Sequence, residues 1–316
     1  MININERNIK LWSTIGPRAT LGLILLEISK EFNDLMVLTA DVSTSAGLDR
    51  FRKTYPDKYL DVGIAEQNMI GIASGLASEK FRVLTTTFAP FQTQRCCEQI
   101  KVNLGYMKQG VCMVGIASGL VLGNLGYTHC SIEDIGTLRS IPNLTIVSPA
   151  DCLETVKFVY NAIKLKKPCY IRLTGGANCP IIYSKDYNLE FGKSVKLKEG
   201  KDITIFCCGS MVDLGLKTEK ILKQNKISSN VINMHTIKPI DKEAIRKASN
   251  SKLIVSIEEH NIIGGLGSAI AEYNSTLTNS PKQLFFGVND SYTQSGSYKF
   301  LLEKHGLTPE KISKNI

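Results

Sequence analysis

Residues 58–79 read KYLDVGIAEQNMIGIASGLASE and combine two hydrophobic patterns. The first part, KYLDVGIA, is typical of a β-strand, and the small residues of MIGIASGLASE are typical of a tightly packed helix. One acid, Glu66, stands where the strand pattern gives way to the helix pattern. A solvated carboxylate at a helix start is the simplest interpretation of Glu66, and the rest of the sequence decides whether that interpretation holds.

The same alternation of strands and helices continues along the chain. Strand-like runs of the first half are 35–42, 81–88, 110–117, 144–150 and 168–174. Several are apolar throughout, which is typical of strands buried on both faces of a parallel sheet. A stretch rich in Gly, Pro and polar residues, 175–193, favours a linker, and a second α/β series follows it. We therefore predict an α/β fold of two doubly layered domains with mainly parallel sheets, at 10–182 and 195–316.

The composition of the 316-residue chain excludes several classes of function. Its formal net charge is +9, but the lysines are spread evenly, so we expect no nucleic-acid partner and only a mild attraction for anionic substrates. The apolar runs are too short to span a bilayer and the N-terminus lacks a secretory pattern, which predicts a cytoplasmic protein without a membrane partner. Nine cysteines without metal-ligand spacing predict a reducing compartment and no metal site in this chain.

Short motifs leave few candidates for chemistry. The turn GGLGS at 264–268 lacks the third glycine of a dinucleotide fingerprint, and neither a P-loop nor a G-x-S-x-G motif occurs. His129 lies in a Gly-rich loop just before a helical pattern, where α/β folds place functional residues. A lone histidine is more often structural, so these grounds alone make His129 a candidate and no more.

Several motifs taken together resemble the transketolase family. DVGIAEQNM, TTTFAPF, GYTHCSIEDIGTLRSIPNLTIVSPAD and IRLTGG, in this order, resemble its pyrimidine-binding domain. DITIFCCGSMVDLGL, INMHTIKPID and IVSIEEHNIIGGLGSA resemble its C-terminal domain. The resemblance covers residues 11 to about 310 and implies a thiamine-diphosphate-dependent enzyme that transfers a two-carbon ketol unit between a ketose and an aldose.

The resemblance assigns cofactor-binding roles to four positions. Glu66 matches the glutamate that hydrogen-bonds N1′ of the cofactor's aminopyrimidine, where a carboxyl in an apolar pocket can share its proton with the ring. Phe88 and Phe91 match aromatic residues that line the pyrimidine, although ordinary core packing also explains two aromatics at this spacing. Asp41 matches an acid near the thiazolium ring.

Further matches concern the substrate. His129 matches a histidine that contacts the reacting oxygens of the donor and assists proton transfer. Arg18, Ser45 and Arg172 match positions that bind the substrate phosphate, a role that suits guanidinium forks and a hydroxyl.

The sequence departs from the family pattern around His129. Leu125 replaces the aspartate that recognises a donor hydroxyl, and Tyr127 replaces a small residue. A family histidine that helps to hold the phosphate aligns with Ala117. These changes predict a modified or deoxygenated sugar substrate rather than the common pentose phosphates.

One part of the family pattern is absent from this sequence. The domain that binds the diphosphate and its Mg²⁺ or Ca²⁺ carries a G-D-G motif, and no GDG occurs here. The resemblance therefore implies one subunit of a split enzyme, paired with an N-terminal transketolase subunit as a heterotetramer. The cofactor would lie at their interface and act on sugar phosphate substrates.

Three alternatives stay open at this point. The same two-domain arrangement occurs in the beta subunit of a 2-oxo acid dehydrogenase E1 and in deoxyxylulose-phosphate synthase. The motif DVGIAEQ is closer to the sequence of that synthase. A third alternative is a non-catalytic regulatory or scaffold subunit, against which the presence of Glu66 and His129 argues.

Overall fold

Two β-sheets flanked by helices form the protein, which is described here by a computed structural model over residues 2–316. The strands are β1 Leu35–Thr39, β2 Tyr59–Asp61, β3 Arg82–Phe88, β4 Val111–Ile116, β5 Thr145–Val147, β6 Cys169–Arg172, β7 Val195–Lys198, β8 Ile203–Cys207, β9 Ser229–Asn233, β10 Thr236–Lys238, β11 Leu253–Asn261 and β12 Lys282–Val288. The helices are α1 Glu6–Glu31, α2 Asp49–Thr54, α3 Glu66–Ser78, α4 Ala89–Gln92, α5 Cys97–Gln99, α6 Asp134–Arg139, α7 Cys152–Leu165, α8 Met211–Gln224, α9 Lys242–Ala248, α10 Leu266–Asn274, α11 Tyr298–Lys304 and α12 Pro309–Asn315. Short 3₁₀ turns at Pro56–Lys58 and Gly123–Leu125 and a π-helix at Ile100–Tyr106 complete the structure.

Both sheets are mixed but mostly parallel. The first has the order β10-β5-β6-β4-β3-β1-β2, and only the β10–β5 pair is antiparallel. The second has the order β12-β11-β8-β9-β7, and only the β7–β9 pair is antiparallel. Every residue of β4, at the centre of the first sheet, is buried, which agrees with a strand covered by helices on both faces. The predicted α/β fold with mainly parallel sheets is confirmed.

Strand β10 joins the first sheet although it belongs to the second half of the sequence. Thr236 pairs with Val147, and the Ser148 N–H donates to the His235 carbonyl. A local pattern cannot reveal this long-range pairing, and the sequence did not predict it. The domain boundaries 10–182 and 195–316 stay a prediction.

The two halves share an apolar core. One buried cluster extends from Met69 and Ile135 on the helices of the first sheet to Phe206 and Leu266 of the second half. Between Arg172 and Val195, the linker backbone runs along α1, where the N–H groups of Asn178 and Cys179 donate to α1 carbonyls. The halves therefore pack directly on each other rather than being tethered through a free linker.

A kink in α1 lets the linker approach. Gly16 has a φ of +80°, and a Cβ there would lie 2.6 Å from the Gly176 carbonyl oxygen, so only glycine fits. Among residues 2–316, none of the helices is both long and apolar enough to cross a membrane.

Candidate active site

Most of the predicted site residues lie at one edge of the first sheet. The register pairs Thr39 of β1 with Asp61 of β2 and Thr86 of β3, so these parallel strands end at the same level. Asp41 follows β1, Glu66 follows the turn after β2, and Phe88 ends β3. The carboxyl edge of a parallel sheet is where α/β folds bind ligands.

Glu66 begins α3 and is buried. Its side chain is 4% exposed, so the interpretation as a solvated carboxylate is wrong. The first turn of a helix stabilises a carboxylate through its free N–H groups. Arg95 supplies the charge partner, with Nη1 2.6 Å from a Glu66 oxygen. The same guanidinium lies over the Phe91 ring, 4.0 Å from its centroid.

Aromatic rings connect this ion pair with His129. Phe88 and Phe91 meet edge to face with centroids 6.2 Å apart. The His129 ring lies 5.5 Å from Phe91 and 6.3 Å from Phe88, and its Nδ1 is 3.0 Å from the Thr128 hydroxyl. The structure therefore brings Glu66, both phenylalanines and His129 into one cluster, while the roles assigned to them stay a prediction.

Asp41, Arg18 and Ser45 lie at the same edge but outside that cluster. Asp41 is exposed with a φ of +55°, and its N–H donates to the Asp61 carboxylate. Ser45 is exposed, and the loop that carries it packs on the α1 backbone, because Gly47 approaches the Arg18 carbonyl. The half-buried Arg18 guanidinium has no hydrogen-bond or ion-pair partner within the described part of the chain. Arg18 and Ser45 are therefore available to an anion.

Arg172 is not available in this way. It is 1% exposed, and its Nε is 2.8 Å from the Asp134 carboxylate, which is fully buried. Its Nη2 donates to the carbonyls of Ser131 and Glu259. Desolvation by burial alone would lower the pKa of Arg172, but its attraction to Asp134, with further contributions from Tyr170 and Glu259, raises that pKa overall. The structure thus places Arg172 inside the fold and not where a substrate phosphate can reach it.

The loop that carries Leu125 and His129 rests on the second half of the chain. Leu125 is 57% exposed. The Tyr127 hydroxyl lies 2.8 Å from Nε2 of His305 and 3.0 Å from the Thr293 hydroxyl, and its ring packs against Tyr292. Burial lowers the pKa of His305, so its neutral ring can accept the Tyr127 hydrogen bond.

A second anchor holds the start of the loop. The Leu120 N–H donates to the buried Glu259 carboxylate at 2.7 Å, and the Ser210 and Tyr298 hydroxyls donate to its other oxygen. Burial raises the pKa of Glu259. Position 119 accepts only glycine, because a Cβ there would lie 2.2 Å from a Glu259 oxygen. The position of His129 thus depends on residues from beyond the linker.

Sequence reasoning missed Arg95, Glu259 and His305. Arg95 follows Phe91 at a helical spacing of four, which is a usable signal for a contact on one face. Glu259 and His305 are more than a hundred residues from the loop that they hold, and no local pattern points to them.

The donor set suits an organic ring better than a metal. Across residues 2–316, the structure contains no group of three or more His, Cys, Asp or Glu side chains placed to hold a metal ion. The planar Arg95 guanidinium is bonded to Glu66 and lies over the Phe91 ring, so the space beside this carboxyl and ring suits a flat, nitrogen-bearing group. A carboxyl beside an aromatic face can orient such a ring and hold its proton.

Two family models match the chain. Residues 13–178 match the transketolase pyrimidine-binding domain, and residues 192–312 match the transketolase C-terminal domain. Together they span most of the sequence and follow the order of the two sheets.

Named relatives cover nearly the same length. The chain is 35% identical to one subunit of the apulose-4-phosphate transketolase of Phocaeicola vulgatus, over 95% of this chain and 96% of that protein. It is 36% identical to the 6-deoxy-6-sulfo-D-fructose transketolase subunit SqwH of Clostridium sp., over 92% of this chain and 89% of that protein.

A solved structure of a split-gene transketolase, described as an inactive beta4 tetramer, has the same fold. It superposes with a TM-score of 0.85 at 35% identity, covering 95% of this chain and 96% of that one. The chain belongs to the transketolase family, as a subunit of the split type with the pyrimidine-binding and C-terminal domains.

Proposed function

We propose that this chain is the pyrimidine-binding subunit of a two-subunit, thiamine-diphosphate-dependent transketolase that transfers a two-carbon ketol unit between sugars. The observation that carries this proposal is the buried Glu66 carboxyl, set beside Phe91 and within one aromatic cluster with His129. The family that the chain belongs to gives this arrangement its chemistry.

The residues present fit the aminopyrimidine of the cofactor. Glu66 would hold a ring nitrogen and its proton, with Phe88 and Phe91 against the ring, and Asp41 would face the thiazolium side. When bound, thiamine diphosphate supplies a carbon nucleophile and stores the electrons of the transferred fragment. His129, whose ring lies next to the same aromatic pair, would orient donor oxygens and move a proton at them.

Arg95 must give up its place when the ring binds. Its guanidinium now satisfies Glu66 and covers Phe91, and its side chain is 41% exposed, which leaves it free to turn outward. In this account Arg95 keeps the buried carboxylate paired until the cofactor arrives, because an unpaired buried charge is costly.

The rest of the cofactor would be bound by a partner. We infer that an N-terminal transketolase subunit with the G-D-G motif holds the diphosphate and its Mg²⁺ or Ca²⁺, and that two copies of each subunit form a heterotetramer. Support comes from the named relatives, which are single subunits, and from the absence of GDG in this chain. Nine free cysteines agree with the reducing cytoplasm as the compartment in which this assembly works.

The substrate would be a specialised sugar. Leu125 and Ala117 remove two polar groups of the family pattern, and Arg172 is held inside the fold, so Arg18 and Ser45 are left to bind an anionic group. The names of two relatives refer to apulose-4-phosphate and to 6-deoxy-6-sulfo-D-fructose, which are not the common ketose phosphates. We propose that Leu125 faces a part of the donor that lacks a hydroxyl.

Reconstitution tests this proposal. The chain is mixed with a GDG-bearing partner, thiamine diphosphate and Mg²⁺, and ketol transfer from a panel of ketose donors is measured. Glu66→Gln should abolish transfer while leaving assembly intact, because an amide cannot exchange the proton. Glu79→Gln, an exposed position at the other end of α3, is the matched control and should stay active. Full activity of Glu66→Gln would overturn the catalytic assignment.

The same assay separates the alternatives. Turnover of pyruvate or a branched oxo acid instead of a ketose would indicate a 2-oxo acid dehydrogenase or deoxyxylulose-phosphate-synthase type of reaction. Assembly without turnover of any donor, in wild type and variant alike, would indicate a regulatory or scaffold subunit.

A further inference from the structure

Two cysteines far apart in the sequence meet where the linker crosses α7. Cys152 is the first residue of α7 and is 2% exposed, whereas Cys179 lies in the linker and is partly exposed. Their sulfur atoms are 3.1 Å apart. A disulfide needs about 2.05 Å, so a shift of roughly 1 Å would join them.

The backbone on both sides of this pair is already fixed. The Cys179 N–H donates to the Ser13 carbonyl, and the Ser13 hydroxyl donates back to the Cys179 carbonyl. On the α7 side, Asp151 caps the helix and accepts the N–H groups of Ile182 and Tyr183 from the same linker. The two sulfur atoms are thus held together by the fold, and no loop must close to bring them into contact.

The two thiols have different reactivities. Either thiol could donate in this contact; the hydrogen bond between the two sulfur atoms, together with burial, raises the pKa of Cys152, and the same bond lowers the pKa of the less buried Cys179. Cys179 is therefore the nucleophile of the pair, since the thiolate is the reactive form. Both residues line a cavity of about 370 Å³ between the linker and α8, which has room for a molecule the size of hydrogen peroxide.

A second cysteine pair provides an internal comparison. Cys112 and Cys169 are register partners on the neighbouring strands β4 and β6, and both are buried. Burial raises the pKa of both thiols, so neither offers a thiolate to an oxidant. Cys97, a partly exposed thiol without a cysteine partner, completes the comparison.

We propose that Cys152 and Cys179 form a reversible disulfide when the protein meets a peroxide, fastening the linker between the two halves to α7. The Cys179 thiolate attacks one peroxide oxygen, so that a sulfur–oxygen bond forms and the oxygen–oxygen bond breaks; the hydroxide that leaves takes up the proton that Cys179 released on ionising and becomes water. The Cys152 sulfur then attacks Cys179; the sulfur–sulfur bond forms, the sulfur–oxygen bond breaks, and the proton of Cys152 leaves with the second water. Two thiols are oxidised and one peroxide is reduced.

The disulfide would act on the region next to Arg18. The linker residue Gly176 packs against Gly16, two residues before Arg18, so a bond from Cys179 to α7 would add a covalent restraint to this segment. Oxidation would thus restrain the backbone behind one of the two groups that remain available to an anion, and a thiol reductant would release it.

Peptide mapping of the whole chain tests the proposal without a partner or substrate. The reduced protein is treated with a small excess of hydrogen peroxide, free thiols are blocked, and the digest is analysed by mass spectrometry with and without dithiothreitol. We expect a Cys152–Cys179 cross-linked peptide, lost on reduction, to form roughly tenfold faster than any oxidation of Cys97. Cys112 and Cys169 should stay reduced.

Two variants check the order of steps. In Cys152→Ser the reaction should stop at a sulfenic acid on Cys179 that a dimedone probe traps, whereas in Cys179→Ser residue 152 should stay reduced. Absence of the cross-linked peptide in the wild type, oxidation of Cys97 before the pair, or a dimedone adduct on Cys152 instead of Cys179 would each overturn the proposal. The wild-type mapping decides the matter even if a serine variant does not fold.

Discussion

The buried ion pair of Asp134 and Arg172 gives a sharp prediction for Asp134→Asn. Asparagine keeps the shape of the side chain and one oxygen, so the substitution removes the charge and one of the two acceptor oxygens that Arg172 Nε and the Tyr170 hydroxyl share. Both residues are at most 1% exposed, and the backbone carbonyls of Ser131 and Glu259 that accept from Arg172 carry no charge to neutralise the cation. Leaving a buried charge uncompensated costs about 3–5 kcal/mol, and we expect the free energy of unfolding to fall by that amount.

Thermal and urea denaturation of the isolated chain measure this effect. A loss of about 3–5 kcal/mol corresponds to a fall in Tm of roughly 4–8 °C for a protein of this size. The control is Asp213→Asn, which breaks the Lys217–Asp213 pair on the surface of α8, where an ion pair contributes about 0.3–0.5 kcal/mol. If Asp134→Asn destabilised the chain no more than the control, Arg172 would not depend on Asp134, and its role as a substrate ligand would have to be reconsidered.

Three further predictions follow from the same contacts. Tyr127→Phe removes the hydrogen bonds to His305 and Thr293, worth about 1 kcal/mol, so amide hydrogen exchange in peptides from 119–131 should accelerate about fivefold while exchange in α3 stays unchanged. The control is Tyr292→Phe, which loses only a bond to Glu133, and an unchanged exchange rate of the loop in Tyr127→Phe would contradict the anchoring role. Burial raises the pKa of Glu258 from 4.5 to about 7, so the folded chain keeps a proton that the unfolded chain releases, and the stability that this group contributes below pH 4.5 is lost as the pH rises through 7. Glu258→Gln should flatten this part of the curve of Tm against pH, and an unchanged slope would refute the assignment. Arg18→Ala in the reconstituted enzyme should raise the KM for an anionic donor about tenfold with kcat little changed, and an unchanged KM would remove Arg18 from the substrate site.

Local sequence patterns predict a good part of this structure. The switch from strand to helix at Glu66 and the apolar runs of β3 and β4 follow from backbone geometry and burial, which neighbouring residues determine, so the sequence could predict them. The motifs of the family then pointed to Glu66, Phe88, Phe91 and His129, which the structure brings together.

The rest depends on contacts between distant segments. Arg172 looked free because its partners are Asp134 and the Glu259 carbonyl, 38 and 87 residues away. Strand β10 crosses into the first sheet for a similar reason, since its pairing with β5 is set by tertiary packing and not by its own three residues. The hydrogen bonds by which Glu259 and His305 anchor the loop that carries His129 have no counterpart in any local sequence pattern.

The most direct test of the central claim is a structure of the reconstituted complex with thiamine diphosphate bound. We expect a Glu66 carboxylate oxygen at about 2.6–3.2 Å from a nitrogen of the pyrimidine ring, with Phe91 against the ring and Arg95 turned away from Glu66. A pyrimidine bound elsewhere, with Glu66 still paired to Arg95, would contradict the account.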